Sequence, residues 1–239
     1  MTKYQTFTRI DEGAVATVIF DFPPINLMGK AFAADLWQLV TELDQDANTR
    51  VVIFRSANPD FFLAHFDVSP AAMAGAPTPL CGPYMLSVLY TRVSQLRQVT
   101  IGEVRGRVRG SGNEFLLALD MRFASIERAI LGQPEILVGL HPGAGGTARL
   151  AQMVGRGRAL EICLTGADYG AIEAERYGWV NRAMPDSEIM SHVGNLARRI
   201  AGVPPAAVAS IKSVVNAPGE FELHLARLLA EYRAPADGS

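Results

Sequence analysis

Two glutamates occupy sequence contexts that suit acid–base chemistry. Glu114 ends the glycine-rich segment RGRVRGSGNE, which follows a predicted strand and begins a predicted helix. Backbone N–H groups exposed at a helix N-terminus can hold an oxyanion, and the helix dipole favours negative charge there. Glu135 follows a proline among apolar neighbours in LGQPEI, where desolvation favours the neutral carboxyl. Each feature also has an ordinary interpretation: an empty tight turn, a helix-capping acid at 114 and a solvated turn acid at 135.

A histidine and a second glycine-rich segment are further candidates for chemistry. His65 lies in FLAHFD (62–67), within a stretch (58–83) that we predict to be mostly loop. By itself it is more typical of a packed or solvent-facing side chain than of a base. The segment HPGAGGT (141–147) is typical of a glycine-rich helix start. The four histidines show no metal-ligand spacing, so we predict no metal site.

The composition is that of a packed globular protein. The 239 residues are 49% hydrophobic and 19% charged, which excludes disorder as the main state. The net charge of −2 gives no general attraction to nucleic acid or to anionic membranes. Two cysteines, Cys81 and Cys163, are too few for a disulfide framework, and no apolar run approaches the ~18 residues of a membrane span. With no secretory signal visible, we expect a cytoplasmic protein that binds neither nucleic acid nor membrane.

Apolar periodicity predicts an α/β core at 1–185, followed by a helical region at 186–239. The predicted strands lie at 15–21, 51–54, 99–104, 121–124, 137–138 and 179–183. The predicted helices of the core lie at 31–45, 85–96, 113–119, 147–154, 158–164 and 171–177. The C-terminal region carries one apolar helical face at 189–200 and another at 223–229.

In order and spacing, these segments resemble the signatures of the enoyl-CoA hydratase/isomerase (crotonase) family over about residues 15–216. FLAHFD is similar to the family loop F-[CSA]-A-G-x-D, RGRVRGSGNE to N-G-x-x-x-G-G-G-x-E, and GQPE (132–135) to the hydratase motif G-x-P-E. Later segments also match, namely PGAGGTARL (142–150), LTG (164–166), and Ala171, Ala174 and Gly178-Trp179-Val180.

The resemblance implies a fold and an assembly. The fold would be a spiral of β-β-α units with a helical C-terminal region, here shorter than in typical members. The apolar faces at 189–200 and 223–229 would then lie between subunits of a homotrimer or hexamer.

The resemblance also implies roles for individual residues. The backbone N–H groups of Phe66 and Ser111 would form the oxyanion hole for a thioester carbonyl. Glu114 and Glu135 would be the two acid–base carboxylates. The residues implied to lie along bound acyl-CoA are Ala64, Asp67, Val68 and Ser69. No cofactor is implied beyond the coenzyme A that forms part of the substrate.

The implied activity is that of a lyase of fatty acid metabolism, an enoyl-CoA hydratase that converts 2-enoyl-CoA to 3-hydroxyacyl-CoA. Because isomerases of the family often retain only the second glutamate, the presence of both favours hydration. Two alternatives stay open. One is other crotonase chemistry, such as double-bond isomerisation, thioester hydrolysis or retro-Claisen cleavage. The other is a catalytically weak scaffold that binds acyl-CoA or RNA.

Departures from the family pattern motivate those alternatives. His65 and Ser111 replace glycines, which would strain the backbone by about 1–2 kcal/mol if either needed a positive φ. Arginines at 105, 107 and 109 would share one side of an extended segment. We favour a solvated or internally paired face over a nucleic-acid site for these arginines, and Glu103 is a candidate partner for one of them.

Overall fold

A computed structural model describes residues 4–67, 69 and 83–216, and these residues form ten strands, eight α-helices and one 3₁₀ helix. The strands are β1 (Phe7–Glu12), β2 (Val15–Phe20), β3 (Val51–Ser56), β4 (Phe61–Leu63), β5 (Val99–Val104), β6 (Arg107–Arg109), β7 (Met121–Ser125), β8 (Ile130–Gly132), β9 (Asp168–Gly170) and β10 (Arg182–Met184). The helices are α1 (Lys30–Gln45), α2 (Pro83–Ser94), α3 (Ser111–Leu117), the 3₁₀ helix (Glu135–Val138), α4 (Gly146–Val154), α5 (Arg156–Thr165), α6 (Ala171–Tyr177), α7 (Asp186–Ala201) and α8 (Pro205–Val215). Among the described residues, no helix is long and apolar enough to cross a membrane.

The larger sheet contains six strands in the order β1-β2-β3-β5-β7-β10. β1 and β2 form an antiparallel hairpin, and every later pair of neighbours is parallel. Its central strands are continuous apolar runs, such as VVIF at 51–54, as is typical of parallel strands covered on both faces. Alternate side chains enter two separate clusters: Val52 and Phe54 pack with the apolar stripe of α1, and Val51 and Ile53 pack with that of α7.

The apolar face of α7 therefore belongs to the core of this chain. Ile189 and Val193 are fully buried on the second face of the large sheet, and Leu196 and Ile200 pack beside them. The expectation that the face at 189–200 lies between subunits was wrong, because the parallel sheet needs this cover on its own second face. The face at 223–229 lies outside the described residues.

The smaller sheet contains four strands of three residues each, in the order β4-β6-β8-β9. β4, β6 and β8 are parallel, with Leu63 opposite Val108 and Arg109 opposite Gly132. Because the carboxyl ends of parallel strands meet at one edge of a sheet, the segments that follow these three strands begin side by side. These segments carry the residues singled out in the sequence.

Comparison with the structure shows which helices and strands the local sequence pattern predicted correctly. All six predicted helices of the core are present, with ends shifted by a few residues. The predicted strand at 137–138 was wrong: Leu137 and Val138 belong to a 3₁₀ turn closed by Gly139 in a left-handed conformation, and both are mostly exposed. The predicted strand at 179–183 begins only at Arg182, since Trp179 is a fully buried turn residue. β1 and the four strands of the smaller sheet were not predicted as strands.

Candidate active site

Close backbone contacts bind the three segments at the carboxyl edge of the smaller sheet. The Gly112 N–H donates to the carbonyl of Ala64 at 3.1 Å, and the Gly110 N–H donates to the carbonyl of Gly132 at 3.1 Å. A Cβ at position 112 would lie 2.4 Å from the Ala64 oxygen, so only glycine allows the N-terminus of α3 to approach β4 this closely. The glycines of RGRVRGSGNE thus join the end of β4 to the start of α3.

The two predicted oxyanion donors lie at this junction. Phe66 forms an isolated parallel bridge with Met28, in which Met28 N–H donates to His65 and Asp67 N–H donates to Met28. This bridge uses the His65 carbonyl and the Asp67 N–H, and not the Phe66 N–H that lies between them. Within the described part of the chain, neither Phe66 N–H nor Ser111 N–H donates a hydrogen bond. Their role as oxyanion donors stays a prediction.

The side chains that replace family glycines fit without backbone strain. Neither His65 nor Ser111 has a positive φ; among the described non-glycine residues only Asn26 does, at 52°. The Ser111 hydroxyl lies 3.0 Å from the hydroxyl of Tyr90, which is fully buried and also donates to the Ser111 carbonyl. The His65 ring is exposed, with Nδ1 2.8 Å from the Phe66 carbonyl. The strain considered for the two replacements is absent.

Glu114 is buried and held by the glycine-rich segment that precedes α4. Its Oε1 accepts hydrogen bonds from Ala144 N–H at 2.8 Å and Gly146 N–H at 2.9 Å. Burial, together with the nearby Glu135, raises the pKa of Glu114 to about 8, although the two N–H bonds and Arg149 act in the opposite direction. A carboxyl with this pKa can exchange its proton near neutral pH.

Glu135 begins the 3₁₀ helix directly after β8. Its Oε1 accepts a hydrogen bond from the side-chain amide of Gln133 at 2.8 Å. Its Oε2 is buried and has no hydrogen-bond partner among the described residues. Burial raises the pKa of Glu135, against the bond from Gln133 and the influence of His65. Each glutamate therefore has one oxygen held by N–H donors, and within the described ranges Oε2 of Glu135 has no hydrogen-bond partner.

The fold brings the two carboxyls to one place although they are 21 residues apart in sequence. Gln133 lies between them. Its amide donates to Glu135, and its Oε1 lies near Glu114, because a Cβ added to Gly146 would be 3.1 Å from both Gln133 Oε1 and Glu114 Oε1. Two carboxyls in a shared, poorly solvated site do not ionise together readily, so one tends to keep its proton while the other is ionised. This arrangement supplies an acid and a base at once.

The residues predicted to lie along acyl-CoA follow β4. Ala64 is buried and its N–H donates to the carbonyl of Asn26 at 3.1 Å. Asp67 accepts the Ser69 N–H at 2.9 Å, and hydrogen bonding to Ser69 lowers the pKa of the Asp67 carboxyl. Ser69 is exposed, and Val68 lies outside the described residues. A role for these residues in acyl-CoA binding stays a prediction.

The arginine stripe is paired within the chain. Arg105 contacts Asp186 at 3.0 Å and Glu103 at 3.8 Å, and Arg109 contacts Asp168 at 3.0 Å. The guanidinium of Arg107 lies 6.0 Å from the ring centre of Phe61. The internally paired interpretation is confirmed for Arg105 and Arg109. In the described ranges, no group of three or more His, Cys, Asp or Glu side chains could hold a metal ion.

Asn26 is a structural determinant of the site that the sequence motifs did not identify. It is fully buried in a left-handed conformation, and its amide donates to Ser56 and to the carbonyls of Phe61 and Phe62. Asn26 thereby fixes β4 to the end of β3. The preceding Pro23-Pro24 marks a turn in the sequence, and asparagine tolerates this conformation, but the partners across the fold leave no local signal.

Comparisons with known proteins give a family match and structures of the same fold. The profile of the enoyl-CoA hydratase/isomerase family matches residues 11–233. A short-chain-enoyl-CoA hydratase of Clostridium acetobutylicum is 31% identical over 210 residues, covering 86% of this chain and 78% of the relative. A carnitinyl-CoA dehydratase of Proteus mirabilis is 31% identical over 219 residues, covering 92% and 83%. A crystal structure from Streptomyces avermitilis, named as a candidate enoyl-CoA hydratase, superposes with a TM-score of 0.83 at 41% identity, covering 100% of this chain and 94% of that one. The predicted crotonase-like fold is confirmed.

Proposed function

This chain belongs to the enoyl-CoA hydratase/isomerase family, and we propose that it adds water across the double bond of a 2-enoyl-CoA thioester to give 3-hydroxyacyl-CoA. One observation carries the proposal. The buried Glu114 and the partly buried Glu135, both with raised pKa values, lie together beside two backbone N–H groups that have no partner among the described residues. Hydration builds negative charge on the thioester carbonyl oxygen, while one proton leaves the water that attacks C3 and another is added at C2. Such a reaction needs oxyanion donors and an acid–base pair in the same site.

The oxyanion donors would stabilise the charge that develops during addition. As the water oxygen bonds to C3, the electrons of the double bond move toward the thioester carbonyl and form an enolate. Phe66 N–H and Ser111 N–H would donate to that oxygen, and removing one such donor typically costs 10²- to 10³-fold in kcat. Their backbone positions are fixed before the substrate arrives, so no rearrangement is needed during the reaction.

The glutamate pair would move the protons. One carboxylate accepts a proton from water as the new C3–O bond forms. The other carboxyl then delivers a proton to C2 while the thioester carbonyl re-forms, so one water molecule is added and the pair keeps one proton. The pKa of Glu114, about 8, lies close enough to neutral for such exchange. Buried Oε2 of Glu135, which has no partner in the described ranges, is the atom at which its proton would come and go.

The chain offers a direct test of this proposal. Glu114→Gln and Glu135→Gln keep the size of the side chain but cannot exchange a proton, and each should lower kcat on crotonyl-CoA by roughly 10²- to 10⁴-fold with a small change in affinity. The double variant should be little worse than either single one, because residues that act as a unit are not additive. Glu173→Gln, an exposed glutamate of α6, is the matched control and should leave kcat unchanged.

The outcome separates the candidate chemistries. Near-normal turnover of Glu114→Gln together with an inactive Glu135→Gln would indicate a single-base isomerase, and a β,γ-enoyl-CoA substrate would then show it directly. Full activity of both variants would exclude the proposed mechanism. A panel of 2-enoyl-CoA esters of increasing length would identify the acyl chain.

We also propose that acyl-CoA lies along Ala64, Asp67, Val68 and Ser69, that no other cofactor is used, and that the protein acts in the cytoplasm as a trimer or a multiple of three. Exposed apolar side chains support an assembly: Leu137 and Val138 of the 3₁₀ helix and Leu164 of α5 are each more than 60% exposed. Light scattering should give the mass of a trimer or hexamer, and a monomer at micromolar concentration would contradict this.

A further inference from the structure

A line of hydrogen bonds runs from the core to Glu135 through three side chains that are completely buried. The indole N–H of Trp179 donates to Asn113 Oδ1 at 2.9 Å. The Asn113 amide donates to Gln133 Oε1 at 2.5 Å, and the Gln133 amide donates to Glu135 Oε1 at 2.8 Å. Trp179, Asn113 and Gln133 each have 0% exposure. We call these three residues the amide relay.

The chemistry of tryptophan fixes the direction of the amide relay. An indole N–H can only donate, so Asn113 must turn its oxygen toward Trp179. The Asn113 NH₂ group then faces Gln133, which must turn its own oxygen toward Asn113 and its NH₂ group toward Glu135. Without the indole, Asn113 could rotate by half a turn and present its NH₂ group away from Gln133 and its oxygen toward it, which would oppose the orientation that Gly110 and Glu135 favour for the Gln133 amide. The residue farthest from the site thus reinforces the orientation in which the NH₂ group of Gln133 faces Glu135.

Gln133 also holds the peptide that carries one predicted oxyanion donor. Its amide nitrogen donates to the Gly110 carbonyl at 3.3 Å in addition to Glu135. Within the described residues the one cis peptide joins Pro23 and Pro24, so the Gly110–Ser111 peptide is trans. In a trans peptide the C=O and N–H groups point in opposite directions. The Gly110 oxygen also accepts the Glu114 N–H at 3.0 Å, so the bonds from Gln133 and Glu114 together hold the direction of the Ser111 N–H.

We propose that Trp179 and Asn113 are positioning residues that act through Gln133 on both halves of the site: the Glu135 carboxyl and the Ser111 N–H. Because Gln133 occupies Oε1 of Glu135, the exchanging proton is confined to Oε2. The catalytic meaning of this inference rests on the proposed hydratase function. The rival explanation is that three buried polar groups simply satisfy one another, in which case apolar replacements of similar shape would leave the site unchanged.

The amide relay can be changed without replacing the other charged or titratable groups around Glu135. They are Glu114 on α3, Cys163 on α5 and His65 after β4, together with the Arg109–Asp168 ion pair beside Gly132. Burial, with help from Glu135 and Glu114, raises the pKa of Cys163 to about 11, so the thiol stays protonated near neutral pH. None of these side chains bonds to Trp179 or Asn113 among the described contacts. A change in the titration of Glu135 in relay variants would therefore come from the amide relay.

The test uses the whole chain and two independent measurements. Trp179→Phe keeps an aromatic ring and removes the donor, and Asn113→Leu removes both polar ends at nearly constant size. Each should lower kcat about tenfold or more while KM changes less than about threefold, since positioning mainly affects the transition state. In protein labelled with [δ-¹³C]glutamate, the Glu135 resonance, assigned by its loss in Glu135→Gln, should titrate at higher pH because the carboxylate loses a dependable N–H donor. The double variant should match the single ones.

The matched control is Tyr169→Phe. Tyr169 packs against Trp179 with ring centres 5.7 Å apart but lies outside the amide relay, so kcat and the Glu135 titration should not change. If Trp179→Phe or Asn113→Leu does not fold, benzothienylalanine incorporated at position 179 removes only the N–H from the two-ring shape. Folded relay variants with normal kcat and an unchanged Glu135 titration would overturn the inference. A shifted titration in a protein that does not hydrate any enoyl-CoA would retain the relay and reject the proposed function instead.

Discussion

The two sheets of this molecule differ in what holds them together. Five of the six strands of the larger sheet have five or six residues, and apolar side chains on both faces enter two clusters. Each strand of the smaller sheet has three residues and buries only one or two of them, as in Arg107-Val108-Arg109. Its position depends on close backbone approach, on the hydrogen bonds of Asn26 and on the Arg109–Asp168 ion pair. The comparison indicates that apolar burial in the larger sheet supplies stability, while polar and backbone contacts in the smaller sheet place the groups that we propose to react.

One glycine substitution beside the smaller sheet and one within the larger sheet should separate these contributions most strongly. In Gly112→Ala the new Cβ would lie 2.4 Å from the Ala64 carbonyl oxygen. Because the clash is with backbone, β4 and α3 must separate, and Phe66 and Ser111 move apart with them. We expect kcat to fall by about 100-fold or more. In Gly102→Ala, within β5, the nearest atoms are the movable ends of Leu116 and Leu119. That variant should lose about 1–3 kcal/mol of stability and keep its turnover. Urea denaturation and kcat measured on both folded proteins test the pair, and equal loss of turnover would remove the distinction.

Asn26→Ala should show how much the smaller sheet depends on polar contacts. The substitution leaves the Phe61 and Phe62 carbonyls without their amide donor and places alanine at a positive φ. We expect a loss of about 2–4 kcal/mol in the free energy of unfolding. Asn195→Ala, on the exposed side of α7, is the control and should change stability by less than about 0.5 kcal/mol. A similarly small change in Asn26→Ala would show that apolar burial alone holds β4 in place.

The raised pKa of Glu114 should make the folded state less stable as pH rises. Its pKa in the folded chain is about 8 against an ordinary value of 4.5, so the folded state retains a proton that the unfolded state releases between these values. Stability that depends on this proton is complete below about pH 4.5 and is lost as pH rises toward 8. Glu114→Gln should remove this loss, so its melting temperature should rise relative to the parent between pH 5 and pH 8. A difference that stays constant with pH, as expected for Glu173→Gln, would contradict this.

Ser111→Gly should have the smallest effect. The proposed oxyanion donor is the backbone N–H. Among the described residues the hydroxyl has a hydrogen bond with Tyr90, which keeps its bond to the carbonyl of residue 111. We expect kcat within about threefold of the parent or higher, and a stability loss of about 1 kcal/mol or less. Steady-state kinetics would decide the matter. A drop of more than tenfold would show that the hydroxyl or Tyr90 takes part in the reaction.

Local sequence determined the elements whose apolar residues are numerous and regularly spaced. The helix at 31–45 and the strands at 51–54 and 99–104 were predicted correctly because long runs with one period specify both a conformation and a buried face. The ordered motifs also identified the family, and with it Glu114, Glu135, Phe66 and Ser111 as candidates.

Only the tertiary structure decided how those candidates are arranged. The three-residue strands β4, β6, β8 and β9 contain too few residues for a period, so their pairing follows from contacts across the fold. The same holds for α7, whose apolar face could equally have met another subunit. The amide relay joins residues 113, 133 and 179, and its direction depends on an indole 66 positions from the asparagine it orients. A hydrogen bond between distant side chains leaves no local pattern, because each residue type alone fits many partners and the fold selects one.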